Sequence, residues 1–268
     1  MIEKSIFIEL LEKFKSNQTG KKSIKFDFKK AIIVGDIHAD LHSLKYIIER
    51  IKKVGNAIFL GDYADRGEFP IETYYEILKL SNECNIILLR GNHETDYVFP
   101  HDLPFYINSY FNDQEVYEII KDIWERMPII AYNDDYFFVH GGIPTNKNFS
   151  IENLKNEEIE FLWNDPWEND EDEYNFERGI GYFFGKETTR NFLNKFNFKC
   201  IIRSHQPRKI LLSEQEGMIV TIGSCIRPYF LNKAGFLEID FYEKIKNGND
   251  VIKKFGRIFL EENLNFNL

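Results

Sequence analysis

The sequence predicts an α/β protein in which a mostly parallel sheet packs against a second, largely antiparallel sheet. Three short apolar runs in the first half each end in polar residues, and helical patterns follow the first two. Strand, polar loop and helix in that order form βαβ units, which build parallel sheets. In the second half, shorter strands separated by Gly and Asn turns indicate antiparallel pairing. Because no linker rich in Pro, Gly or Ser divides the chain, we predict one domain over residues 1–268.

The elements of the first half fit the predicted parallel sheet. Residues 2–15 place apolar side chains at helical spacing. Uninterrupted apolar runs, which are typical of strands buried on both faces, lie at residues 31–34, 57–60 and 86–89. Helical patterns over 41–53 and 71–81 supply the crossovers between them. Ligands gather at the carboxyl ends of such strands, so the polar residues after each run are candidates for a functional site.

The second half combines two further helices with short strands. Helical patterns cover 113–126 and 186–197, and apolar runs on either side of Asn133-Asp134-Asp135 resemble a hairpin. The acidic run from Glu168 to Glu173 is interpreted as an exposed loop. We expect the remaining strands to form the second sheet, at residues 199–203, 209–213, 218–223, 235–240 and 251–259.

Composition limits the classes of function. A formal charge of -9 argues against a coat for duplex nucleic acid, and no stretch of about 18 uncharged apolar residues could span a membrane. The N-terminal segment also lacks the long apolar core of a signal peptide. The three cysteines, Cys84, Cys200 and Cys225, are odd in number and widely spaced, which favours packing over a disulfide framework or a zinc site. We therefore expect a cytoplasmic protein.

Five short motifs bring carboxylate, amide and imidazole side chains to predicted strand ends. They are Gly35-Asp36-Ile37-His38, Gly61-Asp62-Tyr63-Ala64-Asp65-Arg66-Gly67, Arg90-Gly91-Asn92-His93-Glu94, His140-Gly141-Gly142 and Arg203-Ser204-His205-Gln206. Each motif alone is weak, because a strand that ends in Gly-Asp is common. Together they place carboxylates and imidazoles at one edge of a sheet, where they would repel one another or stay unpaired without a cation.

At these motifs the chain resembles the phosphoprotein phosphatase family of Ser/Thr phosphatases, within the calcineurin-like metallophosphoesterases. The resemblance covers about residues 30–240 and continues, in order, through Leu162-Trp163-Asn164-Asp165-Pro166, Arg178-Gly179-Ile180-Gly181-Tyr182-Phe183-Phe184-Gly185 and Thr221-Ile222-Gly223-Ser224. It implies a metallophosphoesterase β-sandwich of two mixed sheets flanked by helices. One departure is Ala39, which replaces the glycine common after the first histidine.

The resemblance also implies two divalent metal ions. Asp36 and His38 would bind the first ion and Asp62 would bridge both, while Asn92, His140 and His205 would complete the second site. Oxygen and imidazole ligands without thiolate suit Mn, Fe or Zn, and Mn is expected to support activity in vitro. Two such ions could share a hydroxide and clamp the oxygens of a phosphoryl group.

Further residues match the family's phosphate and proton-transfer groups. His93 would protonate the leaving alkoxide, and Asp65 would orient it. The expected catalytic set is completed by Arg66 and Arg178. The residues expected to contact the substrate are Arg66, Asn92, Arg178, Arg203 and Tyr229. His42 and His101, outside every motif, are interpreted as surface or local structural residues.

The function implied is a metal-dependent phosphomonoesterase, most simply a protein serine/threonine phosphatase in which a metal-bridging hydroxide attacks phosphorus in line. Two alternatives remain. One is a nucleotide or dinucleoside polyphosphate hydrolase of the same superfamily, against which His38 counts. The other is a catalytically silent scaffold that binds phosphoproteins. The expected partners are phosphoprotein or phosphopeptide substrates, with no nucleic acid and no membrane. The resemblance implies nothing about surfaces that bind regulatory subunits.

Overall fold

A computed structural model of the chain describes residues 2–152, 154 and 156–264. The predicted single domain also takes in Met1, Asn153, Lys155 and residues 265–268, which lie outside the described residues, and it stays a prediction. The described α-helices are α1 (Lys4–Asn17), α2 (Leu41–Val54), α3 (Pro70–Glu83), α4 (Leu103–Phe111), α5 (Glu115–Arg126), α6 (Glu158–Trp163), α7 (Lys186–Phe196) and α8 (Gly248–Phe255). None of them is long and apolar enough to cross a membrane.

The strands form two large sheets and one small one. In chain order they are β1 (Ser23–Lys25), β2 (Lys30–Val34), β3 (Asn56–Phe59), β4 (Asn85–Leu88), β5 (Ile130–Tyr132), β6 (Tyr136–Val139), β7 (Asp165–Pro166), β8 (Glu173–Tyr174), β9 (Tyr182–Phe184), β10 (Cys200–Arg203), β11 (Leu212–Glu214), β12 (Ile219–Thr221), β13 (Lys233–Asp240) and β14 (Gly256–Leu260).

The first large sheet has the order β14-β13-β2-β3-β4. Strands β2, β3 and β4 are parallel, and β13 and β14 continue the sheet in antiparallel pairing. The second sheet has the order β1-β5-β6-β10-β12-β11 and mixes parallel with antiparallel pairs. The small sheet has the order β7-β9-β8. The two mixed sheets flanked by helices confirm the predicted fold class.

The alternation of side chains along the strands builds the layers. Ile32 and Val34 of β2 point to a cluster that includes Phe7, Leu11 and the apolar faces of α2, α3 and α5. Ala31 and Ile33 point the other way, into the cluster between the two large sheets. A third cluster joins the outer face of the second sheet to α6 and α7. The chain is therefore layered as helices, sheet, sheet, helices.

The structure agrees with the predicted helices apart from a few end residues, and with the hairpin of β5 and β6. Three predictions were wrong. Residues 251–259 are not one strand, because α8 occupies 248–255 before β14 begins. Its first turn is capped by the Asn247 side chain, and Val251 and Phe255 form its buried stripe. Strands β13 and β14 also join the first sheet rather than the second, which is mixed rather than largely antiparallel.

Two smaller differences concern chain segments near the site. Helix α4 was not predicted, because only Leu103 and Ile107 are buried in it, and its aromatic residues are partly buried or, at Phe105, exposed. The strand predicted over 209–213 begins later, at Leu212.

The two large sheets are joined by a parallel bridge between Asp36 and Gly223, at the carboxyl ends of β2 and β12. The candidate site lies at this junction.

Candidate active site

The loops after five strands meet at this junction. Asp36, Asp62 and Asn92 follow β2, β3 and β4 of the first sheet. His140 and His205 follow β6 and β10 of the second. All of these side chains are at most 5% exposed. Because parallel strands end at the same edge of a sheet, two sheets packed face to face bring both sets of loops together.

Backbone carbonyls fix the orientation of two histidines. His38 Nδ1 lies 3.1 Å from the carbonyl oxygen of Ala64, and His140 Nδ1 lies 2.8 Å from that of Leu60. A carbonyl oxygen only accepts, so each Nδ1 carries the proton. Each Nε2 then presents a lone pair to the centre of the site, which is the arrangement usual for histidine ligands of metals.

Acceptor atoms converge at the centre. His140 Nε2 lies 2.9 Å from Asn92 Oδ1, 3.0 Å from His205 Nδ1 and 3.4 Å from Asp62 Oδ1. On the other side, His38 Nε2 lies 3.4 Å from Asp62 Oδ2 and 3.9 Å from Asp36 Oδ2. Among the described residues, Asp36 Oδ2 is buried without a hydrogen-bond partner. Buried acceptors in this number are typical of a site that binds a cation.

The electrostatics indicate the same need. Burial raises the pKa of Asp36 to about 6, against the hydrogen bonds of Ser204 and His205. Burial, together with the charge of Asp36, raises the pKa of Asp62 well above its usual value. Burial also lowers the pKa values of His38, His140 and His205 well below the usual range, so these rings are neutral. Positive charge at the centre would stabilise both carboxylates and use the free lone pairs.

Two groups of side chains have spacing that suits a metal ion. Asp62, His140 and His205 form one group, and His38, Asp62 and His93 form the other, with the ligand atoms of each group within 4.8 Å of one another. Asp62 belongs to both. The donors are oxygen and imidazole nitrogen without thiolate, a set suited to Mn, Fe or Zn. The residues therefore fit a pair of metal ions. Relative to the expected set, His93 takes the place of Asp36 in the first group; the Asn92 amide, which is not a carboxylate or imidazole, lies beside the second group, with its Oδ1 2.9 Å from His140 Nε2.

The loops that carry these groups are strained. Backbone φ is positive at His38, Ala39, Asp62, Asp65 and Arg66, with values from 46° to 66°. This left-handed region costs a non-glycine residue on the order of 1 kcal/mol, and such residues cluster at functional sites. Ala39, with a side chain that disfavours this region, lies in it at φ 55°.

The carboxylate of Glu94 holds these loops in place. It is buried and accepts from the backbone N–H groups of Asp62, Tyr63 and Gly91 at 2.8–3.1 Å. Gly61 and Gly91 also approach closely, since a Cβ on Gly61 would lie 2.6 Å from the Cα of Gly91. Gly61 has φ 107°, so glycine is required there for both reasons. The loops after β3 and β4 are thus locked together.

His93 is oriented by Asp65. Its Nδ1 lies 2.8 Å from Asp65 Oδ2, and its Nε2 lies 3.3 Å from the Arg66 guanidinium at the mouth of the pocket. Burial lowers the pKa of His93, and the hydrogen bond with Asp65 opposes that effect. The pair has the geometry of an imidazole held for proton transfer.

The pocket above the centre is small, with a volume of about 100 Å³. Arg178 is held at its wall by Asp165 at 2.5 Å, and its guanidinium also donates to the carbonyl of His205. The Tyr229 ring lies 5.5 Å from the His38 ring. The lining residues are His38, Asp62, Arg66, Asn92, His93, Val98, Phe99, Trp163, Arg178, His205 and Tyr229. The structure thus brings eight of the predicted site residues to one pocket, and it adds Val98, Phe99 and Trp163, which were not predicted.

Arg203 is the exception. It is completely buried and does not line the pocket, and its N–H groups donate to Gly141 O, Gln206 Oε1, Asn164 O and Asp165 Oδ1. Four of the five donors of a guanidinium are therefore used within the protein. This geometry corrects the expectation that Arg203 contacts the substrate. It supports Asp165, which in turn holds Arg178.

Four supporting residues were not assigned from the sequence. Ser204 and the backbone N–H of His205 both donate to Asp36 Oδ1. Glu94 and Asp165 hold the loops and Arg178 as described above. His101, expected to be a surface or local structural residue, donates to Asp65. Ser204 and Glu94 lie inside the quoted motifs and Asp165 in the matched segment, so their positions were a usable signal. His101 gave none.

Comparison with known proteins relates the chain to phosphatases. The family described as calcineurin-like phosphoesterase matches residues 29–209. The serine/threonine-protein phosphatase 4 catalytic subunit of Saccharomyces cerevisiae is 31% identical over 230 residues, which cover 78% of this chain and 73% of that protein. Serine/threonine-protein phosphatase T of the same yeast is 29% identical over 231 residues, which cover 78% of this chain. The chain spans 44% of that relative's length.

A solved structure shows the same fold. It is described as a protein serine/threonine phosphatase from Saccharomyces cerevisiae with similarity to human phosphatase PP5. It superposes with a TM-score of 0.81 at 20% identity, over 97% of this chain and 90% of that chain.

Proposed function

From the premise that this chain belongs to the calcineurin-like phosphoesterase family and, within it, to the relatives of serine/threonine-protein phosphatases, we propose that it is a metal-dependent phosphomonoesterase acting on phosphoserine and phosphothreonine in proteins. The observation that carries the proposal is the pair of cation-sized ligand groups that share Asp62, at a pocket that Arg66 and Arg178 also line. A phosphate dianion fits between metal ions on one side and guanidinium groups on the other.

Six side chains would hold the two ions, with the Asp62 carboxylate shared between them. They are Asp36, His38, Asp62, Asn92, His140 and His205. When bound, the ions would lower the pKa of a water so that it can attack phosphorus, and would stabilise charge on the phosphoryl oxygens. We propose Mn, Fe or Zn for these sites, since oxygen and imidazole ligands suit all three, and Mn as the ion to use first in vitro.

Arg66 and Arg178 would bind the phosphoryl oxygens. Arg178 is preorganised by Asp165, and the Arg66 guanidinium contacts His93 Nε2 at 3.3 Å. Planar guanidinium groups donate two parallel hydrogen bonds to a phosphate. Asn92 and Tyr229, which also line the pocket, would contact the same group.

His93 would protonate the leaving oxygen of the serine or threonine. A substrate phosphate would draw the Arg66 guanidinium away from Nε2, and the ionised Asp65 would stabilise a proton on that nitrogen. Proton donation to an alkoxide as the P–O bond breaks removes the main barrier to its departure. Arg203 takes no part in this step and supports Asp165.

The test is a substrate screen with the Mn²⁺-loaded protein. Phosphoserine and phosphothreonine peptides, a phosphotyrosine peptide, a dinucleoside polyphosphate and a nucleotide would be compared by kcat/KM at equal metal content. We expect the serine and threonine peptides to be hydrolysed best. Preference for the dinucleoside polyphosphate would overturn the substrate assignment in favour of a nucleotide hydrolase, and no turnover with any ester would favour a silent phosphoprotein-binding scaffold.

The partners and the location are also proposals. We propose phosphoprotein substrates as the principal partners and a cytoplasmic location. Three free cysteines, two of them buried, are in keeping with a reducing compartment.

A further inference from the structure

His101 belongs to none of the motifs, yet it lies next to the proton-transfer pair. Its Nδ1 lies 2.9 Å from Asp65 Oδ2, the same oxygen that accepts from His93 Nδ1 at 2.8 Å. Its Nε2 lies 2.8 Å from the hydroxyl of Tyr117. The side chain is 11% exposed. One carboxylate oxygen thus holds two imidazoles, and only one of them lines the pocket.

The Asp65 carboxylate has no free acceptor position. Its Oδ1 accepts from the backbone N–H groups of Asp102 and Leu103 at 2.8 and 3.0 Å. A carboxylate has about four lone-pair positions, and here two N–H groups and two imidazoles fill them. Burial alone would raise the pKa of Asp65, but the hydrogen bonds of His101 and His93 hold it well below its usual value. The carboxylate cannot rotate about its last bond without losing a partner.

His101 is itself fixed by the core. Because its Nδ1 donates to Asp65, its Nε2 accepts from the Tyr117 hydroxyl. Its ring also lies 5.9 Å from the Tyr117 ring and 6.0 Å from that of Trp124, both on helix α5. Trp124 Nε1 in turn donates to the Tyr74 hydroxyl at 2.9 Å. A continuous set of hydrogen bonds and ring contacts therefore runs from α5 to Asp65.

We propose that His101 is a positioning residue, which holds the Asp65 carboxylate in the orientation that aims His93 Nε2 into the pocket. The proposal rests on the proposed role of His93 as proton donor. Without His101, Asp65 Oδ2 loses one of its two hydrogen-bond donors. The carboxylate can then rotate, and the His93 ring can rotate with it. Loss of an orienting partner of this kind typically costs about 10- to 100-fold.

Two variants separate the hydrogen bond from the bulk of the ring. In His101→Asn the amide nitrogen can take the place of Nδ1 and donate to Asp65, whereas His101→Leu fills the space without a donor. We expect His101→Leu to lower kcat on a phosphoserine peptide by about 10-fold with little change in KM, and to lower the rate on p-nitrophenyl phosphate by less than about 3-fold. His101→Asn should recover most of the loss.

The network gives two internal controls. In the Asp65→Asn background the His101→Leu change should have little further effect, because residues that act through one partner are not additive. His42→Leu removes another largely buried histidine, which contacts Arg227 rather than Asp65, and should leave the ratio of the two rates unchanged.

A second readout does not depend on turnover. In the diamagnetic Zn²⁺-loaded protein with isotope-labelled histidine rings, the Nδ1–H proton of His93 can be assigned as the resonance that is lost in His93→Asn. We expect it to shift or broaden in His101→Leu and to return close to its original position in His101→Asn. An unchanged resonance in His101→Leu would overturn the inference whatever the kinetics show.

The two proposals fail in different ways. If the His93 resonance moves in His101→Leu but both substrates lose rate equally in His93→Asn, His101 still positions His93 and the proton-donor role is wrong. If His93→Asn harms the peptide reaction selectively while His101→Leu changes neither the resonance nor the rate ratio, the donor role stands and His101 is only structural.

Discussion

The floor and the rim of the pocket are built differently. The floor, which consists of Asp36, His38, Asp62, Asn92, His140 and His205, is at most 5% exposed. Its side chains are held from behind by carbonyl oxygens, by Ser204 and by one another. The rim, which consists of Arg66, Phe99, Arg178 and Tyr229, lies where loops meet solvent, and Phe99 is 92% exposed.

The difference shows that a local sequence motif fixes the position of a side chain more firmly where that side chain is buried than where it is exposed. Each floor residue lies within four residues of the end of a strand, so the strand and its hydrogen bonds help to fix its position. Rim residues depend on loops that differ in length and packing, and only Arg178 has a buried carboxylate to hold it. We therefore expect substitutions at the floor to remove the metals and activity together, and substitutions at the rim to change activity alone.

The largest effect is expected at the floor residue common to both ligand groups. Asp62→Asn should lose metal and lower turnover by on the order of 10³-fold, because metal ions supply several kcal/mol of transition-state stabilisation. Asn92→Asp keeps an oxygen ligand and should lose less of both. Metal content after dialysis against a chelator, together with turnover, measures the contrast. Two ions retained by Asp62→Asn at a near-normal rate would contradict the shared-ligand role.

His93 combines a property of each region, because it is buried like the floor residues and is proposed to act on the substrate like the rim residues. His93→Asn should lower the phosphopeptide rate by about 10²–10⁴-fold, the range typical of general acid catalysis. The p-nitrophenyl phosphate rate should fall much less, since nitrophenolate leaves without a proton. Asp65→Asn should show a weaker bias of the same kind.

Metal content must be measured in both of those variants, because His93 also belongs to one cation-sized group. Loss of an ion in His93→Asn would mean that His93 is a metal ligand and belongs with the floor residues. An equal loss of rate on the two substrates with both ions present would refute the proton-donor role.

At the rim, Arg66→Ala and Arg178→Ala should leave metal content intact. We expect kcat/KM to fall by on the order of 10²-fold in each, because each loses a charge-assisted contact to the transferring group. Inhibition by inorganic phosphate should weaken in parallel, and it is the direct measurement. If phosphate inhibits both variants as strongly as the parent protein, the two arginines are structural.

The smallest effect is expected at the exposed aromatic side of the rim. Phe99→Ala should raise KM for a phosphopeptide about 2- to 5-fold, because the apolar area that one exposed ring can bury on a peptide is worth about 1 kcal/mol or less. The kcat and the p-nitrophenyl phosphate rate should stay close to those of the parent. An equal change with both substrates would mean that Phe99 shapes the catalytic centre itself.

The same distinction explains how much could be predicted from the sequence. The floor residues were grouped from the sequence, since each motif follows a strand whose apolar run is easy to recognise, and the structure places their side chains together; their role as metal ligands stays a prediction. Arg203 was misassigned because a motif gives the residue and not the direction of its side chain, which here points into the protein. His101 was missed because its partner, Asp65, is 36 residues earlier in the chain, beyond α3 and β4, and because His101 lies in none of the motifs.

The fold shows a similar limit. The parallel half follows local rules, with each strand next to the one before it, and it was predicted correctly. Strands β13 and β14 were assigned to the wrong sheet, because β13 pairs with β2 about two hundred residues earlier. Sequence pattern indicates that such a segment is a strand, but the choice of partner depends on long-range packing.

The hydrogen bonds between Asp36 and the second sheet have a consequence for biosynthesis. Asp36 is bound by Ser204 and His205, which are 168 and 169 residues further along the chain. During translation the ribosome delivers the carboxylates of the first sheet long before these partners exist, and closing so long a loop costs entropy that only finished packing recovers. The nascent chain would therefore carry four of the six proposed metal ligands before the second sheet is complete. Full metal capture has to wait for the second sheet to dock, which makes it a late step of maturation.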